Sequence, residues 1–188
     1  MHKKIPKFFI FLDQYSKIIS KNNNTNIGVI YRNYDKQNKE KELIKIAQAC
    51  KKNRYQLFIS NNTKLAMKYK ADGIYIPSFD KTKSFYNLEK RNIIVLGSAH
   101  NQKEIKKKIN QNCSGIFLSP IFANSKSKKN LDIHKFNYLS NNNKTIIFAL
   151  GGILQKNMNK LKLLNINGFG GIRIFKKKPA FKRPVFLN

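Results

Sequence analysis

Short apolar runs recur along this chain, each closing on a small or polar motif and most followed by a stretch with helical period. The run over 8–12 has no polar interruption, the mark of a strand covered on both faces. Similar segments over 27–31, 55–59, 73–76, 92–96, 115–118, 145–150 and 169–175 bring the expected strands to eight. Between them, 39–52 places Leu43, Ile44, Ile46, Ala47 and Ala49 near a 3.6 period. Stretches 64–70, 102–110, 133–139 and 154–164 also read as helices, and 86–90 as a weak one. Residues 13–25 are polar and Asn-rich, so the first crossover is short or irregular. This alternation predicts an α/β fold, a single parallel (β/α)8 TIM-type barrel. The alternative is an open doubly wound sheet, which needs fewer strands and often a Gly-rich first turn; no GxGxxG follows the first strand.

The length of 188 residues suits one domain, a little under the roughly 200–250 residues common for such barrels. The barrel is expected over 1–175 and a basic tail over 176–188, with Pro179 and Pro184 in place of a last helix. Phe181, Val185 and Phe186 would let that tail dock as an extended strap. No apolar run approaches the roughly 20 residues of a membrane span, and 8–12 is too short for a secretory core, so a cytoplasmic protein is expected. Cys50 and Cys113 form no metal or redox motif and read as reduced, half-buried thiols.

The formal charge of +29 raises the question of a polyanionic partner. The lysines are spread along the whole chain, however, and Lys, Asn and Ile are abundant together, as an AT-rich coding sequence produces. No sheet motif interleaves aromatic and basic residues, which argues against a nucleic-acid module. Steering of a small anionic substrate is the functional use such a charge would have.

In a parallel barrel the loops after the strands share one rim, so residues distant in sequence meet there. Gly151 and Gly152 after the seventh strand, with Gly171 among the glycines around the eighth, suit a phosphate cradle of backbone N–H groups. Asp80 is one of only nine acidic residues and could ligate Mg²⁺ alongside substrate phosphates. His100, beside Ser98, could move a proton near neutral pH. Arg32 offers a planar fork to phosphate or pyrophosphate. The loop carrying Asn124, Lys126 and Lys128 offers further donors for an anion. Asp72 is expected to turn the chain at the opposite rim.

Tyr31-Arg32, Phe58-Ile59-Ser60-Asn61, Ala71-Asp72-Gly73-Ile74 with Asp80, Gly97-Ser98-Ala99-His100, Ser119-Pro120-Ile121-Phe122 and Ala149-Leu150-Gly151-Gly152-Ile153 resemble, in order and spacing, the thiamine phosphate synthase/TenI superfamily. The resemblance implies a β/α barrel that joins hydroxymethylpyrimidine pyrophosphate to a thiazole phosphate, releasing pyrophosphate with the help of Mg²⁺. By position, Arg32 and Ser98 would act on the pyrophosphate, Asp80 would hold Mg²⁺, and Gly151 and Gly152 would bind the thiazole phosphate. Ser60 and Asn61 stand where the family has an Asn-Asp pair, which removes one carboxylate. The family's Gln-x-Arg-x-Lys is reduced to Arg32, its Gly-Gln-Glu-Asp to Asp80, and its serine after the last strand becomes Arg173. His100 occupies the position of the histidine that a TenI-type thiazole tautomerase uses for proton transfer. That reaction, or ligand binding without turnover, is the alternative the resemblance leaves open. The implied partners are small phosphorylated pyrimidine and thiazole compounds, with no membrane or nucleic acid among them.

Overall fold

The computed structural model describes residues 4–21, 26–32, 39–82, 88, 92–123, 129–141 and 143–175. Eight parallel strands close into a barrel in sequence order: β1 Phe8–Leu12, β2 Ile27–Tyr31, β3 Gln56–Ser60, β4 Gly73–Ile76, β5 Ile94–Ala99, β6 Gly115–Leu118, β7 Ile146–Leu150 and β8 Gly168–Gly171. The ring is completed by β1 against β8, with Phe8 beside Phe169. Among the described residues four α-helices lie outside it: α1 Lys39–Asn53, α2 Thr63–Lys68, α3 Gln102–Asn110 and α4 Asp132–Asn141. The closed barrel excludes the open-sheet alternative.

Several boundaries differ from the sequence expectation. Strand β5 runs two residues later at its start and three later at its end, so Gly97 and Ser98 lie within the strand and not in its loop. The last strand stops at Gly171, and Arg173–Phe175 forms a 3-10 turn. The stretch after β7 is a 3-10 helix over Gln155–Leu163 in place of an α-helix. The first crossover contains a short 3-10 helix, Lys17–Lys21, consistent with its polar composition. The weak helix expected over 86–90 and the tail over 176–188 fall outside the described residues, apart from Leu88. Asp72 does turn the chain at the N-terminal rim: its Oδ2 accepts from Leu57 N at 3.0 Å, and its carbonyl accepts from Ile94 N.

Outward-facing positions of the strands pack under the helices and form the larger apolar cluster. Inward-facing positions fill the barrel in layers, each drawn from alternate strands. Phe9, Phe58, Leu96 and Phe148 form the central layer, from β1, β3, β5 and β7. In the strand register these four stand beside Gly28, Gly73, Gly115 and Gly168. Aromatic rings are too bulky for this cross-section unless their neighbours are small. A Cβ on Gly28 would come within 2.6 Å of the Phe9 ring, and one on Gly115 within 2.8 Å of Phe148. The next layer, Ile30, Tyr75, Phe117 and Gly170, continues the plug. Edge-to-face pairs with centroids 5.0–5.4 Å apart join Phe9 to Phe117, Phe11 to Phe117 and Phe11 to Tyr75. Side chains therefore fill the middle of the barrel.

Both cysteines are more enclosed than the sequence suggests. Cys50 is 2% exposed on the packed face of α1, and Cys113 is 7% exposed beside β5. Burial pushes each thiol up to about 12, with the Asp72 charge adding to the effect at Cys50 and Lys108 opposing it at Cys113. At pH 8 both thiols are then protonated and enclosed, so native protein should leave an aromatic disulfide reagent unreacted, whereas urea-unfolded protein releases two equivalents. Gly73→Ala drives a methyl into the Ile94 carbonyl and to within 2.5 Å of the Phe58 ring. Urea unfolding should register a loss of about 1–3 kcal/mol with an unchanged m-value.

Candidate functional site

Polar side chains begin where the aromatic plug ends. The uppermost layer from the odd strands is Phe11, Ser60, Ser98 and Leu150, set by the pairings Phe11–Ile30, Ser60–Tyr75, Ser98–Phe117 and Leu150–Gly170. Ser60 and Ser98 are each 5% exposed, so two hydroxyls roof the rings on the C-terminal side. One step higher on β2, the Arg32 guanidinium lies over Phe11, 5.7 Å from the ring centroid. Period-2 alternation thus places Arg32, Ser60 and Ser98 around one opening.

Arg32 is not free to meet an anion alone. Its Nε and Nη2 donate to the Asp13 carboxylate at 3.1 and 3.4 Å, a fork-to-fork pair at the end of β1. The Arg32 N–H also donates to Leu12 O at 2.8 Å, which ties the two strand ends together. Asp13 holds the guanidinium in place over Phe11 and would compete with an incoming phosphate. Beyond the scarcity of acidic residues, nothing local marks Asp13 for this pairing.

His100 sits at the junction of β5 and α3. Asn101 caps that helix by accepting from Glu104 N at 2.9 Å, and Glu104 reaches back to accept from His100 N at 2.8 Å. The imidazole is oriented from both sides. Its Nδ1 lies 2.7 Å from the Ser119 carbonyl, which can only accept, so Nδ1 carries the proton in the neutral ring. Nε2 then accepts from Ser78 Oγ at 3.1 Å. Neither Ser78 nor the role of the Ser119 carbonyl was legible in the sequence, because the contacts join three separate loops.

Gly151 and Gly152 both adopt left-handed backbone, with φ of 92° and 71°. A Cβ on Gly151 would lie 2.8 Å from Pro120, and one on Gly152 would run into the Phe122 carbonyl. The turn is fixed by Ile121 N donating to Leu150 O at 3.0 Å and by Asn157, whose Nδ2 donates to Gly152 O at 2.8 Å. Gly171 follows on β8, pressed against Ile174, and Arg173 is exposed at the start of the last 3-10 turn. Asn61 is exposed with φ of 50°, while its neighbour Asn62 caps α2 by accepting from Leu65 N at 2.9 Å. Asn124, Lys126 and Lys128 lie outside the described residues.

Asp80 lies in the loop after β4, the loop whose Ser78 reaches His100. Its N–H donates to Pro77 O at 3.1 Å, and its Oδ1 accepts from Thr82 N at 2.7 Å. Its Oδ2 is buried and has no hydrogen-bond partner. An unpaired carboxylate oxygen costs free energy that a cation would recover. Among the described residues there is no cluster of three His, Cys, Asp or Glu able to hold a metal by itself. A cation here would take one protein carboxylate and draw its other ligands from water or a bound phosphate, an arrangement that suits Mg²⁺.

Behind Asp80 lies a group that sequence reading passed over. Lys108, on α3, is wholly buried. Its Nζ donates to Pro77 O at 2.6 Å, Asp80 O at 3.0 Å and Gln111 Oε1 at 2.9 Å. Burial pushes this ammonium below the ordinary lysine value, partly offset by Cys113 and Asp80. Its position three residues after Ile105, on the packed face of α3, was the available signal.

Comparison with known proteins agrees with this architecture. A sequence profile described as thiamine monophosphate synthase matches residues 16–175. A thiamine-phosphate synthase from Prochlorococcus marinus subsp. pastoris is 31% identical over 125 residues, 65% of this chain and 36% of that protein. The chain thus spans about a third of the length of the first such relatives. A putative thiamine-phosphate synthase 2 from Aquifex aeolicus is 29% identical over 169 residues, 86% of each chain. Among solved structures, a thiamine phosphate pyrophosphorylase from Pyrococcus furiosus superposes with a TM-score of 0.70, 14% identity, and coverage of 89% of this chain and 85% of that one. With the profile extending from the first crossover to the last strand, the chain belongs to the thiamine monophosphate synthase (TMP-TENI) family.

Proposed function

We propose that this protein forms thiamine phosphate, coupling a pyrimidine pyrophosphate to a thiazole phosphate at the C-terminal mouth of the barrel. The observation that carries the reading is the meeting of a guanidinium and two buried hydroxyls above a solid aromatic floor, Arg32 over Phe11 with Ser60 and Ser98 alongside. In such a coupling, negative charge develops on the departing pyrophosphate, and donors fixed in advance lower its energy. Arg32 would bind that group after releasing Asp13, and Ser98 would donate to it. The left-handed turn at Gly151 and Gly152 would offer backbone N–H groups to the thiazole phosphate. The plugged barrel keeps both substrates at the surface of the mouth, which favours their mutual orientation. Mg²⁺ held by Asp80 and pyrophosphate oxygens would supply charge neutralisation to the leaving group.

Purified protein given both precursors and Mg²⁺ should release pyrophosphate and thiamine phosphate, measurable by chromatography. Asp80→Ala should cut kcat/KM by at least about 100-fold, equivalent to about 2.7 kcal/mol of transition-state stabilisation. Absence of product at high enzyme concentration would refute the assignment.

The orientation of His100 supports a second reading, proton transfer on a thiazole phosphate. Nδ1 is fixed on the Ser119 carbonyl, so Nε2 is the basic atom, with Ser78 as its hydrogen-bond donor. Under this reading the thiazole compound alone, with EDTA present, should exchange its ring proton, and His100→Ala should slow that exchange by about 100-fold or more. Equal rates for the two proteins would remove the role assigned to His100.

A further inference from the structure

Lys108 is an expensive residue to bury, and the way the fold accommodates it indicates its purpose. Gly97, on the outer face of β5, leaves room for the stem: a Cβ there would lie 2.8 Å from Lys108 Cδ and 2.9 Å from Cys113 Sγ. An apolar side chain of similar length would fill this space without desolvating a charge. The ammonium also does not pair with a carboxylate. Its three donors go to Pro77 O, Asp80 O and Gln111 Oε1, so its hydrogen-bonding capacity is filled by neutral oxygens. Gln111, one turn on, continues the same grip: its Nε2 donates to Asp80 O at 3.2 Å and Thr82 O at 2.8 Å.

These contacts bracket the loop on both sides of Asp80. They hold its backbone at Pro77, Asp80 and Thr82 and leave its Oδ2 unpaired. A lysine present only to balance charge would take the carboxylate. This one takes the peptide carbonyls, which fixes the loop without occupying the oxygen.

We infer that Lys108 and Gln111 are positioning residues, a clamp from α3 and its C-cap that presents the Asp80 Oδ2, uncommitted, to a divalent cation bound with pyrophosphate. The inference rests on the assignment of Asp80 as the cation ligand. Clamps of this kind set the position of a ligand that they do not themselves supply, and their loss weakens metal affinity while the ligand remains.

The test uses Mn²⁺ as the cation and inorganic pyrophosphate as the anion, with binding followed by the Mn²⁺ paramagnetic resonance signal. Wild type, Lys108→Met, Gln111→Met, Asp80→Asn and the Asp80→Asn/Lys108→Met pair are compared, and circular dichroism melting confirms that each is folded. Lys108→Met should weaken Mn²⁺ affinity about 10-fold or more, and Gln111→Met should weaken it by a smaller factor. Amide exchange across 77–82 should accelerate in both, the Thr82 N–H above all. In the Asp80→Asn background the Lys108→Met change should have no further effect on Mn²⁺, an outcome that general destabilisation would not give. If Lys108→Met does not fold, Gln111→Met carries the same comparison with the lysine in place. Wild type without affinity for Mn²⁺ and pyrophosphate would overturn the proposed function, and the clamp's role with it. Wild-type binding matched by folded Lys108→Met or Gln111→Met would overturn the clamp alone.

Discussion

The fit of large rings against bare backbone inside the barrel governs the rest of this structure. Phe9, Phe58 and Phe148 enter from alternate strands at one level, and each stands beside a glycine on the neighbouring strand. Strands of four to six residues supply little length for a tall, many-layered interior. Aromatic side chains compensate by filling the cross-section, and glycines let the strands keep their spacing around them. With the interior filled by rings at these levels, the hydroxyls of the odd strands stand above them on the C-terminal side. The same packing explains why Ser60 and Ser98 are buried without being central: they are the first residues beyond the last ring.

Above the plug, the site is held together by contacts between loops, few of which involve two residues of one motif. Asp13 after β1 orients Arg32 after β2, and Ser78 after β4 and Ser119 after β6 orient His100 after β5. Asn157 and the loop after β6 shape the glycine turn after β7. Each functional group thus has its orientation set by a neighbour in space contributed by another β/α unit.

The loop carrying Asp80 shows how such change is accommodated. With asparagine at position 61, only one carboxylate remains where the family resemblance implies two. A buried lysine and glutamine from α3 brace the loop that carries it. The surface lysines that dominate the +29 charge are a different matter, since their spread along the chain follows composition. Lys108 is distinguished from them by burial and by three defined acceptors, not by charge.

Apolar runs, their spacing and the helical segments between them were sufficient to specify eight parallel strands and their order, because burial on both faces writes itself directly into local composition. The motifs at strand ends likewise located Arg32, Ser98, His100, Gly151 and Gly152 at one rim, since parallel topology leaves them no other. Sequence could not set the end of β5 or the 3-10 character after β7, where pairing and packing with neighbours override weak local preference. Nor could it reveal Asp13 beside Arg32, the proton position on His100, or the burial of Lys108 behind Asp80. Those depend on which atoms from distant segments lie within about 3 Å of each other, a quantity fixed only when the barrel closes.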